Sequence, residues 1–113
     1  MHVSRRMTAT GLFAIAVLCS MVAAADPAEY ELVIRDHRFE PSVLEIPAGQ
    51  KVRIVVRNLD ATPEEFESYE LRREKVIAGN GEAILYIGPL KPGEYPFFGE
   101  FNQETAQGRV IAR

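Results

Sequence analysis

Acidic side chains gather at two places in this sequence. The stretch Pro-Glu-Glu-Phe-Glu-Ser (residues 63–68) supplies Glu64, Glu65 and Glu67, and a later aromatic run contains a single acid, Glu100. In a β-strand, Glu65 and Glu67 would share a face at a separation of about 6.6 Å, so both carboxylates could reach one ion. Carboxylate oxygens suit hard divalent cations, and the pattern therefore predicts a metal site.

The orientation of Glu64 follows from its neighbour Phe66. Alternating residues of a strand share a face, so Glu64 points inward if Phe66 belongs to the core. The sequence alone does not decide whether Glu64 or the pair Glu65 and Glu67 faces Glu100. A solvated strand face is the simpler explanation of these acids, because exposed strands commonly carry charge.

Glu100 is the strongest single candidate, because it stands between Phe98 and Phe101. A carboxylate among aromatic rings is expected to be desolvated, and desolvation is unfavourable unless the group is paired or bound to a cation. The alternative is an ion pair with a basic residue in the segment 72–75, which contains Arg72, Arg73 and Lys75.

His37 is a further candidate ligand, since imidazole is the commonest protein ligand for metals. It lies in a short charged loop, where an exposed, unligated histidine is the alternative. Asp60 and Asn102 could supply additional oxygens. His37 has no evident serine or cysteine partner for nucleophilic catalysis, and a glycosidase cleft would be too large for a chain of this size.

Residues 1–25 have the pattern of a secretory signal peptide. Arg5 and Arg6 form a basic start, an apolar stretch follows, and Ala23-Ala24-Ala25 is typical of a cleavage site. We therefore predict cleavage after Ala25 and a periplasmic product. An uncleaved membrane anchor is the alternative, but a spanning helix needs about 20 apolar residues and this stretch is shorter.

The composition limits the partners and the redox chemistry. The 113 residues carry a net charge of −3, and residues 1–25 contain arginines but no acid, so the exported chain is more negative. This balance argues against nucleic acid and anionic membranes as partners. The only cysteine, Cys19, lies in the predicted leader, so the exported chain has no disulfide and must be stabilised by core packing.

Residues 26–113 alternate between short strands and turns. The clearest strand is Lys51–Asn58, whose apolar and basic residues fall on opposite faces. Pro-Ala-Gly-Gln at 47–50 and Ala-Gly-Asn-Gly at 78–81 are turn signals. About seven to eight strands at this spacing, with almost no helix, predict a single all-β domain, an antiparallel Greek-key β-sandwich.

The chain resembles the cupredoxin-like family, and more closely its small periplasmic members that accompany bacterial ferrous-iron permeases. The motifs that carry the resemblance are Phe39-Glu40-Pro41, Ile46-Pro47-Ala48-Gly49, Val56-Arg57-Asn58, Pro63 to Ser68 and Gly88 to Gly108. The resemblance covers nearly all of residues 26–113 and implies a cupredoxin-like β-sandwich.

The resemblance also shows where this chain departs from a blue-copper protein. A blue-copper site needs two histidines, a cysteine thiolate and a weak axial methionine. By resemblance, the first histidine corresponds to Glu64 or its neighbour and the second histidine to Asn102. The cysteine corresponds to Gly99, and the methionine to Ala106 or Gln107. Residues 26–113 contain no cysteine, no methionine and one histidine, which excludes a type 1 copper centre within one chain.

The implied function is the binding of a divalent metal, Fe²⁺ above all and Mn²⁺ or Cu²⁺ as alternatives, in support of ferrous-iron uptake. The implied partners are a periplasmic iron-binding protein and an inner-membrane iron permease, with oxidation of Fe²⁺ or its hand-over as the step. Three alternatives stay open: a metal-free interaction module on the same scaffold, a non-blue copper-binding protein, and a homodimer that joins two acidic faces.

Overall fold

The computed structural model describes residue 11, residues 14–15 and residues 26–113. Almost all of the predicted signal peptide, including its cleavage site after Ala25, lies outside the described residues. Within the described part of the chain, no helix has the length and apolar character needed to cross a membrane.

Residues 26–113 form two β-sheets that pack face to face. The strands are β1 (Ala28–Arg35), β2 (Arg38–Glu40), β3 (Val43–Ile46), β4 (Val52–Asn58), β5 (Glu64–Ser68), β6 (Arg73–Ile77), β7 (Glu82–Ile87), β8 (Gly93–Gly99) and β9 (Gln107–Ala112). One sheet has the order β2-β1-β4-β7, and the other has the order β3-β9-β8-β5-β6. A single 3-10 turn, Glu100–Asn102, follows β8.

The all-β sandwich is confirmed, with two differences from the sequence-based expectation. The segment around Pro41 ends β2 and passes the chain to the other sheet, so β2 and β3 are separate strands and residues 26–113 contain nine strands rather than seven to eight. The antiparallel prediction is wrong for two pairs, because β1 pairs with β4 and β3 pairs with β9 in parallel. Strand alternation does not reveal the direction of the partner strand, which depends on the crossover.

The core lies between the sheets, where the alternating apolar residues of the strands meet. Three of its residues are aromatic: Phe39, Phe66 and Phe97. The ring centroids of Phe66 and Phe97 are 4.9 Å apart, and that of Phe39 lies 6.0 and 5.0 Å from them. Because Phe66 belongs to β5 and Phe97 to β8, this stacking fixes the two strands that carry the acidic stretches.

Strand β5 is followed by a tight reversal of the chain. The strand ends at Ser68, whose Oγ accepts a hydrogen bond from the Leu71 N–H and donates one to the Pro96 carbonyl. Arg72 then adopts a φ of 53°, and the chain continues as strand β6. The chain therefore reverses tightly, and β6 runs antiparallel beside β5.

Candidate metal centre

Strand β5 presents carboxylates on both of its faces. Phe66 is fully buried in the core, and Glu64 shares its face with 1% of its surface exposed. Glu65 and Glu67 point to the outer face of the five-stranded sheet, as the period-two alternation predicts. Glu65 is nevertheless 92% buried, because its exposed fraction is 8%.

The outer face brings four glutamates together: Glu65, Glu67, Glu74 and Glu100. Each offers one carboxylate oxygen, and these four oxygens all lie within 4.8 Å of one another. We call this group the outer cluster. Three of its members, Glu65, Glu67 and Glu100, were expected from the sequence, and the structure adds Glu74.

Strand register explains why these residues meet. In the β5–β6 pair, Glu67 lies directly opposite Glu74. In the β5–β8 pair, Phe66 lies opposite Gly99. Continuing that antiparallel register by one residue sets Glu100 beside Glu65. Residues directly opposite in an antiparallel pair have Cβ atoms about 4.5–5.5 Å apart, so like charges there repel.

The pKa values of two members of the outer cluster are raised, and the repulsion is one of the causes. The pKa of Glu65 is raised to about 7, first by a hydrogen bond with the Glu74 carboxyl, then by desolvation and by the surrounding negative charges. The pKa of Glu67 is raised to about 7, first by a hydrogen bond with the Glu100 carboxyl, then by desolvation and the charges of Glu100 and Glu74. Each of these hydrogen bonds needs a proton, so fully ionised carboxylates leave the cluster uncompensated.

Two oxygens of the outer cluster have no donor. Oε1 of Glu65 and Oε2 of Glu67 are buried and accept no hydrogen bond. Within residues 26–113, none of the four glutamates forms an ion pair with a basic residue within 4.0 Å. Buried carboxylates are normally paired or coordinate metals, so these oxygens are suited to a cation.

The spacing of the oxygens matches coordination of one ion. Hard divalent cations hold oxygen ligands at about 2.0–2.6 Å, so two ligands of one ion are at most about twice that distance apart. The four carboxylate oxygens, all within 4.8 Å of one another, meet this limit for the longer bonds, and an ion with shorter bonds would draw the side chains closer together. Because Glu74 and Glu100 are exposed, the centre is open to solvent on one side and a cation can enter without unfolding.

Glu64 does not join the outer cluster. Its Oε1 accepts hydrogen bonds from the N–H groups of Glu65 at 3.0 Å and Phe101 at 2.9 Å. Its Oε2 accepts one from Nδ2 of Asn102 at 2.6 Å. Glu64 is therefore a buried carboxylate whose two oxygens both have donors, on the inner side of the same strand.

The residues at the blue-copper positions do not fit a copper centre. A Cβ atom at Gly99, the position that corresponds to the cysteine, would lie 2.6 Å from Cδ of Glu64 and 2.6 Å from Cβ of Ala106. The side-chain space of a thiolate ligand is thus filled by the Glu64 carboxylate. The donors around it are amides, which hydrogen-bond to the carboxylate and cannot replace two imidazoles and a thiolate.

His37 is not a member of the outer cluster and lies in the tight turn between β1 and β2. Its backbone N–H donates to Oδ2 of Asp60 at 2.9 Å, and its Nδ1 lies 3.5 Å from the same oxygen. These interactions lower the pKa of Asp60, with the backbone hydrogen bond from His37 as the main cause. His37 and Asp60 thus form a separate pair that orders the turn.

Two sequence-based expectations about the site change. Glu100 is exposed rather than desolvated between Phe98 and Phe101, and within residues 26–113 it forms no ion pair with the basic segment 72–75. Glu74 was missed because its position depends on the tight reversal after Ser68. Its only signal in the sequence is that it stands among the basic residues of the segment 72–75.

Comparison with known proteins gives a family for this fold. Residues 8–112 match a family model described as a cupredoxin-like domain. An uncharacterized protein of Rickettsia prowazekii (strain Madrid E) is 45% identical over 83 residues, covering 74% of this chain and 66% of that protein. The chain therefore spans slightly less than two thirds of that relative's length.

Solved structures share the fold at low sequence identity. Auracyanin A, a "blue" copper protein from Chloroflexus aurantiacus, superposes with a TM-score of 0.67 at 14% identity, covering 77% of this chain and 99% of that chain. The metal-binding domain of the Cu(I)-exporting P-type ATPase CopA from Streptococcus pneumoniae D39, with Cu(I), gives a TM-score of 0.67 at 13% identity, covering 75% and 84%.

Proposed function

This protein belongs to the cupredoxin-like family, and we propose that it is a periplasmic protein that binds a divalent metal, Fe²⁺ in its biological setting, and assists ferrous-iron uptake. The ligands in this proposal are Glu65, Glu67, Glu74 and Glu100. Glu64 and His37 are not ligands in it. A single chain supplies all four carboxylates, so the proposal needs no second copy.

One observation carries the proposal. The buried Oε1 of Glu65 has no hydrogen-bond donor, although it stands among three other carboxylates. Such an arrangement is unfavourable without either protons or a cation. A divalent ion would offset half of the charge of four ionised carboxylates and provide the missing partner.

The chemistry of the donors supports a hard or borderline cation. Oxygen ligands suit Mg²⁺, Ca²⁺ and Mn²⁺, and Fe²⁺ stands next to Mn²⁺ in affinity order. The choice of Fe²⁺ comes from the resemblance to components of ferrous-iron permease systems. The exposed Glu74 and Glu100 suit transfer, because a partner could approach the ion from the open side and replace these ligands first.

Copper binding is the second candidate. It is favoured by two structural neighbours, the "blue" copper protein auracyanin A and the metal-binding domain of CopA with Cu(I). It is also favoured by the general affinity order, in which Cu²⁺ binds a given site more tightly than Fe²⁺ or Mn²⁺. Any copper bound by the outer cluster would be held by oxygen and would lack a thiolate.

Calorimetric titration tests the proposal. The purified protein is titrated with Fe²⁺ without oxygen, and separately with Mn²⁺ and Cu²⁺. We expect one ion per chain, and we expect Glu100→Ala to weaken Mn²⁺ binding about tenfold or more, equivalent to about 1.4 kcal/mol. The reason is that one of the four ligands is lost while the fold keeps its core.

Glu45→Ala is the matched control. Glu45 lies on β3 at the opposite edge of the same sheet, exposed and paired with Arg113. Its removal takes away one negative charge without touching the outer cluster, and binding should stay unchanged. Equal binding by the wild type and Glu100→Ala would exclude the outer cluster as the site, and an absence of binding in the wild type would favour the metal-free interaction module.

A further inference from the structure

We infer that Glu64 is a positioning residue, which holds the turn that carries Glu100 so that the Glu100 carboxylate stays in the outer cluster. This inference rests on the proposed metal-binding function. Glu64 is a buried carboxylate that is not itself a ligand. Through the turn, it connects the inner face of β5 to the metal centre on the outer face.

Few hydrogen bonds besides those to Glu64 hold the start of the turn Glu100–Asn102. Gln103 Nε2 donates to the Glu100 carbonyl at 3.3 Å, and the N–H of the preceding Gly99 donates to the Ala106 carbonyl at 2.8 Å. None of the three residues of the turn is buried, and Phe101 is 52% exposed. The residue at its N-cap is Gly99, which has no side chain to accept a hydrogen bond from the first N–H groups of the turn. Such groups are usually satisfied by a polar N-cap side chain.

Glu64 takes the place of that N-cap side chain from the neighbouring strand. Its Oε1 accepts from the Phe101 N–H, which is the second residue of the turn and the usual target of an N-cap. Its Oε2 accepts from the Asn102 side chain at the end of the turn. One carboxylate thus binds the second and the last residue of a three-residue turn.

The geometry around Gly99 makes this contact close. Because Gly99 has no Cβ, the Glu64 carboxylate can lie against its backbone, where any side chain would collide with it. The charged hydrogen bonds are stronger than those of a neutral acceptor. Further along the loop, the Asn102 carbonyl accepts from the N–H groups of Thr105 and Ala106, which orders the exit of the turn but not Glu100.

Glu100 depends on this anchoring because it immediately precedes Phe101. Movement of the Phe101 N–H away from Glu64 would swing the exposed Glu100 side chain out of reach of Glu67. Glu65 and Glu67 would stay, since their strand is fixed by pairing with β6 and β8. Loss of Glu64 should therefore remove the contribution of Glu100 selectively and leave the other ligands in place.

A double-mutant cycle with Mn²⁺ tests the inference. The variants are Glu64→Leu, Glu100→Ala and the combination. We expect Glu64→Leu to weaken Mn²⁺ binding about fivefold or more when Glu100 is present and to have almost no effect in Glu100→Ala, because coupled residues are not additive. Glu64→Gln should restore most of the affinity, since its amide oxygen can still accept from the Phe101 N–H.

Asn58→Leu is the control for general destabilisation. Asn58 is as buried as Glu64, at 1% exposure, and its side chain also takes part in three hydrogen bonds. It lies on β4 and binds Asp60 and Thr62 in the loop that follows and the Ile77 carbonyl at the end of β6, so it contacts neither the turn Glu100–Asn102 nor a proposed ligand. The substitution should lower stability without changing Mn²⁺ affinity. Hydrogen exchange in the metal-free protein adds a second readout: Glu64→Leu should expose the Phe101 amide to rapid exchange, and Asn58→Leu should leave it protected.

The outcomes separate the two claims. If the wild type binds Mn²⁺ but Glu64→Leu weakens binding equally with and without Glu100, the positioning role is wrong and the metal site stands. Unchanged protection of the Phe101 amide in Glu64→Leu would also overturn the positioning role. If the wild type binds no metal, the proposed function fails and the inference fails with it.

Discussion

Glu64 and Glu65 are adjacent in the sequence, lie on the same strand and are both buried, yet their surroundings are opposite. Glu64 faces three N–H donors on the inner side of the sheet. Glu65 faces three other carboxylates on the outer side. The difference shows that burial of an acid does not by itself indicate a ligand; the polarity of its neighbours decides whether the charge is already compensated.

The same contrast distinguishes the two candidate centres of the molecule. The inner end of the sandwich, where a blue-copper protein holds its metal, is here closed by the Glu64 carboxylate and the Asn102 amide. The outer cluster is incomplete in its hydrogen bonding and open to solvent. A metal function on this scaffold is therefore expected on the outer face of the sheet, where Glu65 lies, and not on the inner face, where Glu64 lies.

The largest expected effect is on the free energy of unfolding, which substitutions of the neighbouring residues Glu64 and Glu65 should change in opposite directions. In the metal-free protein, Glu64→Leu should lower the free energy of unfolding by about 2 kcal/mol or more, because it leaves the Phe101 N–H and the Asn102 amide without an acceptor. Glu65→Leu should raise it, because it removes a buried charge that is surrounded by like charges. Urea unfolding of both variants measures the two changes.

Glu64→Leu and Glu65→Leu test the contrast between the two carboxylates directly, because both replace a glutamate of β5 by leucine. Destabilisation of similar size in both variants would mean that Glu65 is as well compensated as Glu64. In that case the outer cluster would lose its reason to bind a cation.

A smaller effect is expected from pH. The pKa values of Glu65 and Glu67 are raised to about 7 in the folded protein from 4.5, so protonation favours the folded state. Their stabilising contribution is present below the unfolded value and is lost as the pH rises through about 7. The metal-free protein should therefore unfold at a lower temperature at pH 8 than at pH 5.

Metal binding should depend on pH in the opposite direction, because a cation competes with the shared protons. Mn²⁺ affinity should weaken as the pH falls below about 7, where Glu65 and Glu67 become protonated. Glu67→Gln should reduce both pH dependences. Thermal unfolding of wild type and variant at several pH values, with and without Mn²⁺, measures them, and a metal-free stability that rises with pH over this range would contradict the account.

The smallest expected effect is on visible absorption, which the addition of Cu²⁺ should hardly change. After addition of Cu²⁺, the chain from residue 26 onward should lack the intense visible band of a thiolate-to-copper centre, because these residues contain no cysteine. Absorption spectroscopy of the copper-loaded protein checks this expectation. A strong blue band would contradict it.

Much of this arrangement could be predicted from strand periodicity. Alternation along β5 was sufficient to set Glu65 and Glu67 on one face and Glu64 on the face of Phe66. That this strand lies beside Glu100 could be expected only from the family resemblance, because the contact requires long-range pairing of β5 with β8. Such pairing leaves no local signature in either stretch.

Two features could not be predicted, and both depend on tertiary geometry. Glu74 enters the cluster because the chain reverses after Ser68, and that reversal relies on a hydrogen bond from the Ser68 hydroxyl to the distant Pro96 carbonyl. The task of Glu64 depends on the missing side chain of Gly99, which matters only when the two residues are in contact.

Anomalous X-ray diffraction from crystals of the protein soaked in Mn²⁺ tests the central claim most directly, because it locates the ion among named side chains. We expect one peak on the outer face of the sheet, about 2.0–2.6 Å from carboxylate oxygens of Glu65, Glu67, Glu74 and Glu100. A peak at the inner end between Glu64 and Asn102, a peak beside His37, or no peak at all would contradict the claim.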